Sequence, residues 1–297
     1  MNLNKNKWLI LQVIFIAIVL GCVGYLGRYF YHSWTEKSNA QTLAAEIEAM
    51  RKEQMVSEYT ANTPTPTAFH NTTDNNETVT EPIEEVTPID PFSIIPELTV
   101  QLLPKILPYY KNLYIRNSDL IGWIYIANTM INYPVVQGKD NDFYLNKDID
   151  KEYARCGCLF VDCRADVFRP STNLIIYGHN MKDGSMFHDI IKYEEESFYL
   201  NHPIIKFDTL YESAEYEIIS AFYSQLYPVE SNEFKYYQWF DANTKEDFDK
   251  FVTKIRELSI YEIPIEVEYG DTFLTLSTCS HHMENGRFAV VARKKAK

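Results

Sequence analysis

The sequence predicts a mainly β fold: an eight-stranded antiparallel barrel or sandwich, preceded by helices and interrupted by one more. Three observations carry that expectation. Eight short runs rich in β-branched and aromatic residues recur between positions 122 and 292, each bounded by turn-forming residues. The stretches between them lack the regular strand–helix alternation of a parallel sheet. A clear amphipathic helical pattern appears in one of them, between the sixth and seventh runs.

At 297 residues the chain holds one large or two small domains with a substantial core. Its net charge of −13 argues against nucleic acid as a main partner, because binding backbone phosphates requires a basic face. Neither a GxxxxGK[ST] nor a GxGxxG loop is present among its 10 glycines, which speaks against a nucleotide-driven reaction.

Residues 1–7, with Lys5 and Lys7, precede the uncharged run WLILQVIFIAIVLGCVGYLG at 8–27. Its 20 residues suit a helical crossing of a hydrocarbon core about 30 Å thick. The cations before the run, set against Arg28 and Lys37 after it, predict a single pass with residues 1–7 in the cytoplasm and the remainder outside. Two other readings exist, a cleaved secretory signal and a lipid-bearing Cys22. No small-x-small site follows the run cleanly, and the chain stays apolar through 23–26.

Residues 28–59 are rich in helix formers, with Leu43, Ile47 and Met50 at helical spacing, and predict a juxtamembrane helix. Residues 60–93 are rich in Thr, Pro, Asn and Glu and contain no Lys or Arg. Such a composition buries too little apolar surface to order itself, so a disordered spacer holding a domain off the membrane is expected. The globular domain spans 94–297. Within it, 97–117 predicts one or two short helices interrupted at Pro104 and Pro108.

The eight predicted strands are 122–126, 131–136, 158–162, 174–177, 204–207, 216–223, 273–278 and 288–292. The helix between the last two pairs starts at a Thr244 cap followed by first-turn acids. It carries Phe248, Phe251, Val252, Ile255 and Leu258 at three- and four-residue intervals.

Five cysteines (22, 156, 158, 163 and 279) do not make a disulfide framework. Cys156 and Cys158 flank one glycine, too close for an ordinary bridge. The spacing C-x-C-x4-C lacks the paired CxxC of zinc sites, so these three read as small buried hydrophobes. Cys279 differs: it ends the β-forming run TLSTC, and Arg287 opens the next run, GRFAVVARKK. A thiol at a sheet rim is a candidate nucleophile, and it needs a base and a group to hold an oxyanion.

Seven histidines compete for the first role. His32 and His70 lie before the globular domain, His188 falls in an expected short helix at 186–192, and His202 precedes Pro203. His179 ends the run NLIIYGH, so its imidazole sits at a strand end as the thiol does. Arg287, returned beside Cys279 by the short connection SHHMENG, offers a permanent charge and several N–H donors.

TLSTC followed by an arginine, with YGHNMKDGSMF about a hundred residues upstream, resembles a class B sortase, a cysteine transpeptidase of Gram-positive cell surfaces. The resemblance spans roughly residues 95–295. It implies a sortase-type eight-stranded β-barrel, with the helix between strands six and seven as a class trait. It also implies His179 as general acid/base, Cys279 as nucleophile and Arg287 as the substrate and oxyanion residue. QGKDNDFYLNKD resembles the stretch lining the peptide groove, which implicates Asn141 and Leu145. Ser277 and Thr278 are implied as further peptide contacts and the Ser280 amide as a second oxyanion donor, while Tyr237 is a substrate-binding candidate from its spacing before the helix. Where some members carry an acid two residues past the cysteine, this chain has His281, which favours Cys–His–Arg over Cys–His–Asp.

The implied reaction cleaves a short sorting motif of a secreted protein after Thr and transfers the acyl group to an amine of peptidoglycan or its lipid-linked precursor. Acyl transfer through a thioester needs no cofactor and no metal. Rival readings are another cysteine peptidase, an L,D-transpeptidase and a zinc-stabilised binding module using His179, Cys279, His281 and His282. Papain-like enzymes place Cys before His, no SHGC signature is present, and adjacent histidines on an extended segment point opposite ways.

Overall fold

A computed structural model describes residues 3–62, 105–280 and 282–296. Each expected β run is a strand: β1 (Leu120–Tyr125), β2 (Asn132–Val136), β3 (Leu159–Val161), β4 (Asn173–Tyr177), β5 (Ile204–Thr209), β6 (Ser213–Gln225), β7 (Phe273–Cys279) and β8 (Gly286–Lys294). They close a barrel in the order β1-β2-β3-β4-β7-β8-β6-β5, with β5 pairing back to β1. The barrel is mixed rather than wholly antiparallel, because β2 pairs β3, and β4 pairs β7, in parallel. Parallel neighbours require a crossover. The long connections from β2 to β3 and from β4 to β7 provide it. Strand β6 runs further at both ends than its sequence pattern, since it pairs β5 along one half and β8 along nearly all its length.

The apolar run and the juxtamembrane segment form one uninterrupted helix, α1 (Leu3–Asn62), rather than two elements. No proline occurs in this span to break it. Of the expected helices at 97–117, Pro108–Tyr110 is a 3-10 turn leading into α2 (Lys111–Arg116). Pro108 opens the turn instead of interrupting one, as a residue without a donor does at a first helical position. Residues 97–104 and most of the expected spacer at 60–93 lie outside the described residues. His188 opens a 3-10 helix, His188–Glu194, and a short α3 (Glu196–Asn201) follows that the sequence pattern did not single out.

Helix α4 (Lys245–Leu258) is the expected amphipathic helix, and the Thr244 hydroxyl accepts the Asp247 amide at 3.1 Å. Replacing Thr244 with alanine is expected to cost about 1 kcal/mol. A denaturant midpoint that falls without a change in slope checks this.

Alternation along the strands divides the apolar residues into three clusters. Ile124, Val135, Val161, Leu174, Ile176, Ile205, Ile218, Leu274, Leu276 and Val290 draw on all eight strands and fill the barrel interior. On the outer face, Trp123, Val136 and Phe160 pack under α1 and the 106–114 segment. Elsewhere on that face Ile219, Phe273, Ala289 and Val291 pack under α4, where Trp239 stacks on Phe251 at 3.8 Å. The gap between these two outer clusters, at one rim, holds the site.

Candidate active site

Strand direction explains why residues a hundred positions apart meet. Strands β4 and β7 are parallel neighbours in the register Tyr177↔Ser277, so both end at the same rim. Two residues further on, the chain carries His179 beside Cys279. Strand β8 runs antiparallel to β7 and pairs Arg287 directly with Cys279. The interior residues Leu274, Leu276 and Phe288 fix the parity. Cys279 and Arg287 therefore project from the outer face, and Cys279 is exposed to solvent.

The loop after β4 is tightly held. Gly178 has no room for a side chain, because a Cβ there would lie 2.3 Å from Leu159 Cδ2 and 2.7 Å from Phe187 Cδ2. The Gly178 amide donates to Ser277 O, and the Gly178 carbonyl accepts from Thr278 Oγ1 at 2.7 Å. His179 Nε2 lies 2.7 Å from the Leu145 carbonyl. A carbonyl only accepts, so Nε2 carries the proton, and Nδ1 is the nitrogen left for exchange. Asn180 Nδ2 donates to the Cys279 carbonyl at 3.3 Å, while its Oδ1 meets His188 Nδ1 at 2.9 Å. The expected short-helix histidine thus orients the residue that joins the two strand ends.

Two aromatic-rich segments wall the site. On one side lies the 3-10 turn Phe143–Leu145, with the Leu145 side chain exposed. On the other lies the 3-10 turn Tyr236–Gln238. Tyr236 is buried, and its hydroxyl meets Ser277 Oγ at 2.7 Å. Burial pushes the phenol up to about 12, against the Ser277 hydrogen bond and the nearby Arg287 charge, which lower it. The Arg287 guanidinium Nη1 donates to Gly286 O at 3.0 Å.

The remaining sequence candidates are placed as follows. The Ser277 hydroxyl is buried against Tyr236, and Thr278 turns to the interior face, so neither presents a free hydroxyl on the outer surface. The Ser280 amide donates to Gly286 O at 2.9 Å, closing the β7–β8 turn. It is committed there rather than open to an oxyanion, and Ser280 Oγ meets His282 Nδ1 at 2.9 Å. Tyr237 is half-buried, its hydroxyl accepting the Tyr227 amide at 2.8 Å. His281 lies outside the described residues, and among those described no group of three or more His, Cys, Asp or Glu is disposed to hold a metal.

Asn141 belongs to a network that sequence reasoning missed. Its amide nitrogen donates to Asp162 Oδ2 at 3.1 Å, and its oxygen accepts the Cys163 amide at 2.8 Å. Asp162, fully buried, also receives Arg164 through two nitrogens at 2.8 and 2.7 Å and the Tyr177 hydroxyl at 3.1 Å. Arg164 continues to the Tyr237 carbonyl at 3.0 Å. One carboxylate thus links both walls to strand β4. The available signal was an acid closing the apolar run CLFVD with an arginine two residues on.

Burial alone would raise the Asp162 carboxyl, but hydrogen bonds and charge from Arg164 hold it below the ordinary range. A depressed folded value contributes stability above the unfolded pKa of about 3.9, and that stability is lost as pH falls through the folded value. Asp162→Asn is therefore expected to flatten the acid limb of a stability-against-pH curve below about pH 4. An unchanged limb in thermal melts refutes this.

The Sortase domain family model matches residues 124–295. Sortase B of Listeria monocytogenes is 36% identical over 182 residues, covering 61% of this chain and 71% of that protein. Sortase B of Staphylococcus aureus is 34% identical over 188 residues, covering 63% and 74%. Among solved structures, Bacillus anthracis sortase B in complex with AAEK1 superposes with a TM-score of 0.58 at 35% identity, covering 65% of this chain and 86% of that one. A Staphylococcus aureus sortase B–substrate complex superposes with the same TM-score at 32% identity, covering 67% and 90%. With a closed barrel of this topology and a cysteine, histidine and arginine at one rim, the chain belongs to the sortase family, class B, and is a cysteine transpeptidase.

Proposed function

We propose that this transpeptidase is a single-pass membrane enzyme with residues 1–7 inside, residues 8–27 in the bilayer and the barrel outside. It cleaves a short sorting motif of secreted proteins after Thr and transfers the acyl group to an amine of peptidoglycan or its lipid-linked precursor. The observation that carries this reading is the meeting of Cys279, Arg287 and the His179 loop at one open rim. Helix α1 adds a segment long and apolar enough to cross a membrane. The Staphylococcus aureus relative was solved with a substrate.

The Cys279 thiolate attacks the Thr carbonyl, and the Arg287 guanidinium stabilises the negative oxygen of the tetrahedral intermediate. As the C–N bond breaks, the His179 imidazolium gives its proton to the departing amine, leaving a thioester on Cys279. The acceptor amine then adds to the thioester and yields a proton to His179, and the thiolate is expelled. Asn141 fixes one wall of the peptide groove through Asp162, Leu145 and Tyr237 present side chains on either side, and Ser277, Thr278 and Ser280 shape the floor through their backbone.

The test is incubation of the full chain with a sorting peptide, with and without an amine acceptor. Mass spectrometry is expected to show a Cys279 thioester that accumulates without acceptor and yields ligated product with it. Hydrolysis unaffected by amine would instead mark a peptidase. Because one group must be deprotonated and the other protonated, the pH–rate profile is expected to show two ionisations. A single ionisation would rule out the paired roles.

A further inference from the structure

Helix α1 does more than emerge from the apolar segment; between Ser33 and Arg51 it is bound to the barrel. Ser33 Oγ donates to Asp183 Oδ2 at 2.5 Å, and Glu36 Oε1 accepts the Arg155 amide at 3.0 Å. Ala44 and Ile47 are buried in the outer cluster under the helix, with Leu43 and Met50 packed against it. Arg51 closes the series by an ion pair with Asp208.

These contacts order the two ends of the barrel relative to the membrane. Asp183 lies in the hairpin between Gly178 and Phe187, where Asn180 bridges Met186, so it belongs to the loop that begins at His179. Asp208 pairs with Ser213 at the start of β6, whereas the other end of β6, Ser224, pairs with Arg287. Ser33 therefore holds the rim carrying Cys279, and Arg51 holds the opposite rim, about 27 Å further along the helix.

The near contact falls at the bilayer boundary. Tyr29 is two residues past the apolar run, about 3 Å along the axis, and the Arg155 guanidinium sits 4.2 Å over its ring. Ser33 is six residues past, about 9 Å, where the polar layer outside the hydrocarbon is about 5–8 Å deep. Tyr25, Tyr29, Tyr31 and Trp34 are exposed along the successive helical turns that flank this boundary, and tyrosine and tryptophan favour such a position. Lys182, beside Asp183, is exposed as well.

The geometry points to the bilayer surface as a docking partner of the Cys279 rim, with α1 as a rigid strut holding the mouth toward the headgroups and Arg155 and Lys182 at the contact. The height of the active site is then set by the α1–barrel contacts and not by the length of the segment that follows α1, contrary to the spacer role expected from sequence. This inference rests on residues 8–27 being the anchor, as proposed above.

The test places a photoreactive benzophenone residue at Lys182 or, separately, at Ser213 in the full chain, reconstituted in phosphatidylglycerol–phosphatidylcholine vesicles. After irradiation, mass spectrometry is expected to find a lipid adduct at position 182 and none at 213. Adding Ser33→Ala, Ile47→Asp and Arg51→Ala together, which unlatches the strut by removing contacts at both rims, is expected to abolish the preference for 182. Chain that fails to float with the vesicles overturns the anchor reading and this inference with it. Chain that floats but gives no adduct at 182, or equal adducts at both positions, overturns the docking alone. A preference for 182 that survives unlatching overturns the strut.

Discussion

Cys279→Ala is expected to eliminate peptide transfer by at least about a thousandfold while leaving the melting temperature near that of the parent protein, because removing a nucleophile removes the covalent path itself. The side chain is exposed at the end of β7 and fills no core space, so its loss creates no cavity. The measurement is product formation with a sorting peptide and an amine acceptor, alongside thermal unfolding of both proteins. His179→Ala is expected to act on the same step, and the double variant to be no worse than either alone, as groups working as one unit are not additive. Additive losses, or substantial residual transfer in Cys279→Ala, would move the chemistry to another residue. Cys156 and Cys158 are poor substitutes: burial pushes the Cys156 thiol up to about 12, and Cys158 is buried and raised further.

Arg287→Ala is expected to lower kcat by about a hundred- to a thousandfold, the effect of losing an oxyanion donor. Arg287→Lys keeps the charge but loses the planar fork, so most of that loss is expected to persist. The comparison separates an oxyanion role from general attraction of the peptide, which would appear in KM and be rescued by lysine. The register Cys279↔Arg287 makes the prediction specific, because no other residue of β8 stands opposite the thiol. An Arg287→Ala enzyme with unaltered kcat would leave the oxyanion to donors elsewhere.

The strands were legible because each alternates or runs apolar over a few residues between turn formers, and every expected run is a strand within a few positions. The pairing directions were not. Nothing in TLSTC or NLIIY says that the two strands lie side by side and parallel, since that depends on the crossover through β5, β6 and α4. The Asp162 network was equally hidden. Asp162, Arg164 and Tyr177 are adjacent only after β3 and β4 pair, and Tyr237 joins them from a segment sixty residues further on. The composition of 28–59 announced a helix, but not that it would fuse with the apolar run and lie along the barrel.

Sequence by itself determined the chemistry available: a thiol and an imidazole each ending a β run, an arginine opening the next, and an apolar N-terminal helix. These are local properties, written in side-chain type and in periods of two and 3.6 residues. Tertiary structure alone decided that those groups share a rim, that Ser280 spends its amide on a turn, and that the strut reaches the His179 loop. Such contacts join residues far apart in the chain, and the energy that selects them comes from burying a common interior that no single segment contains.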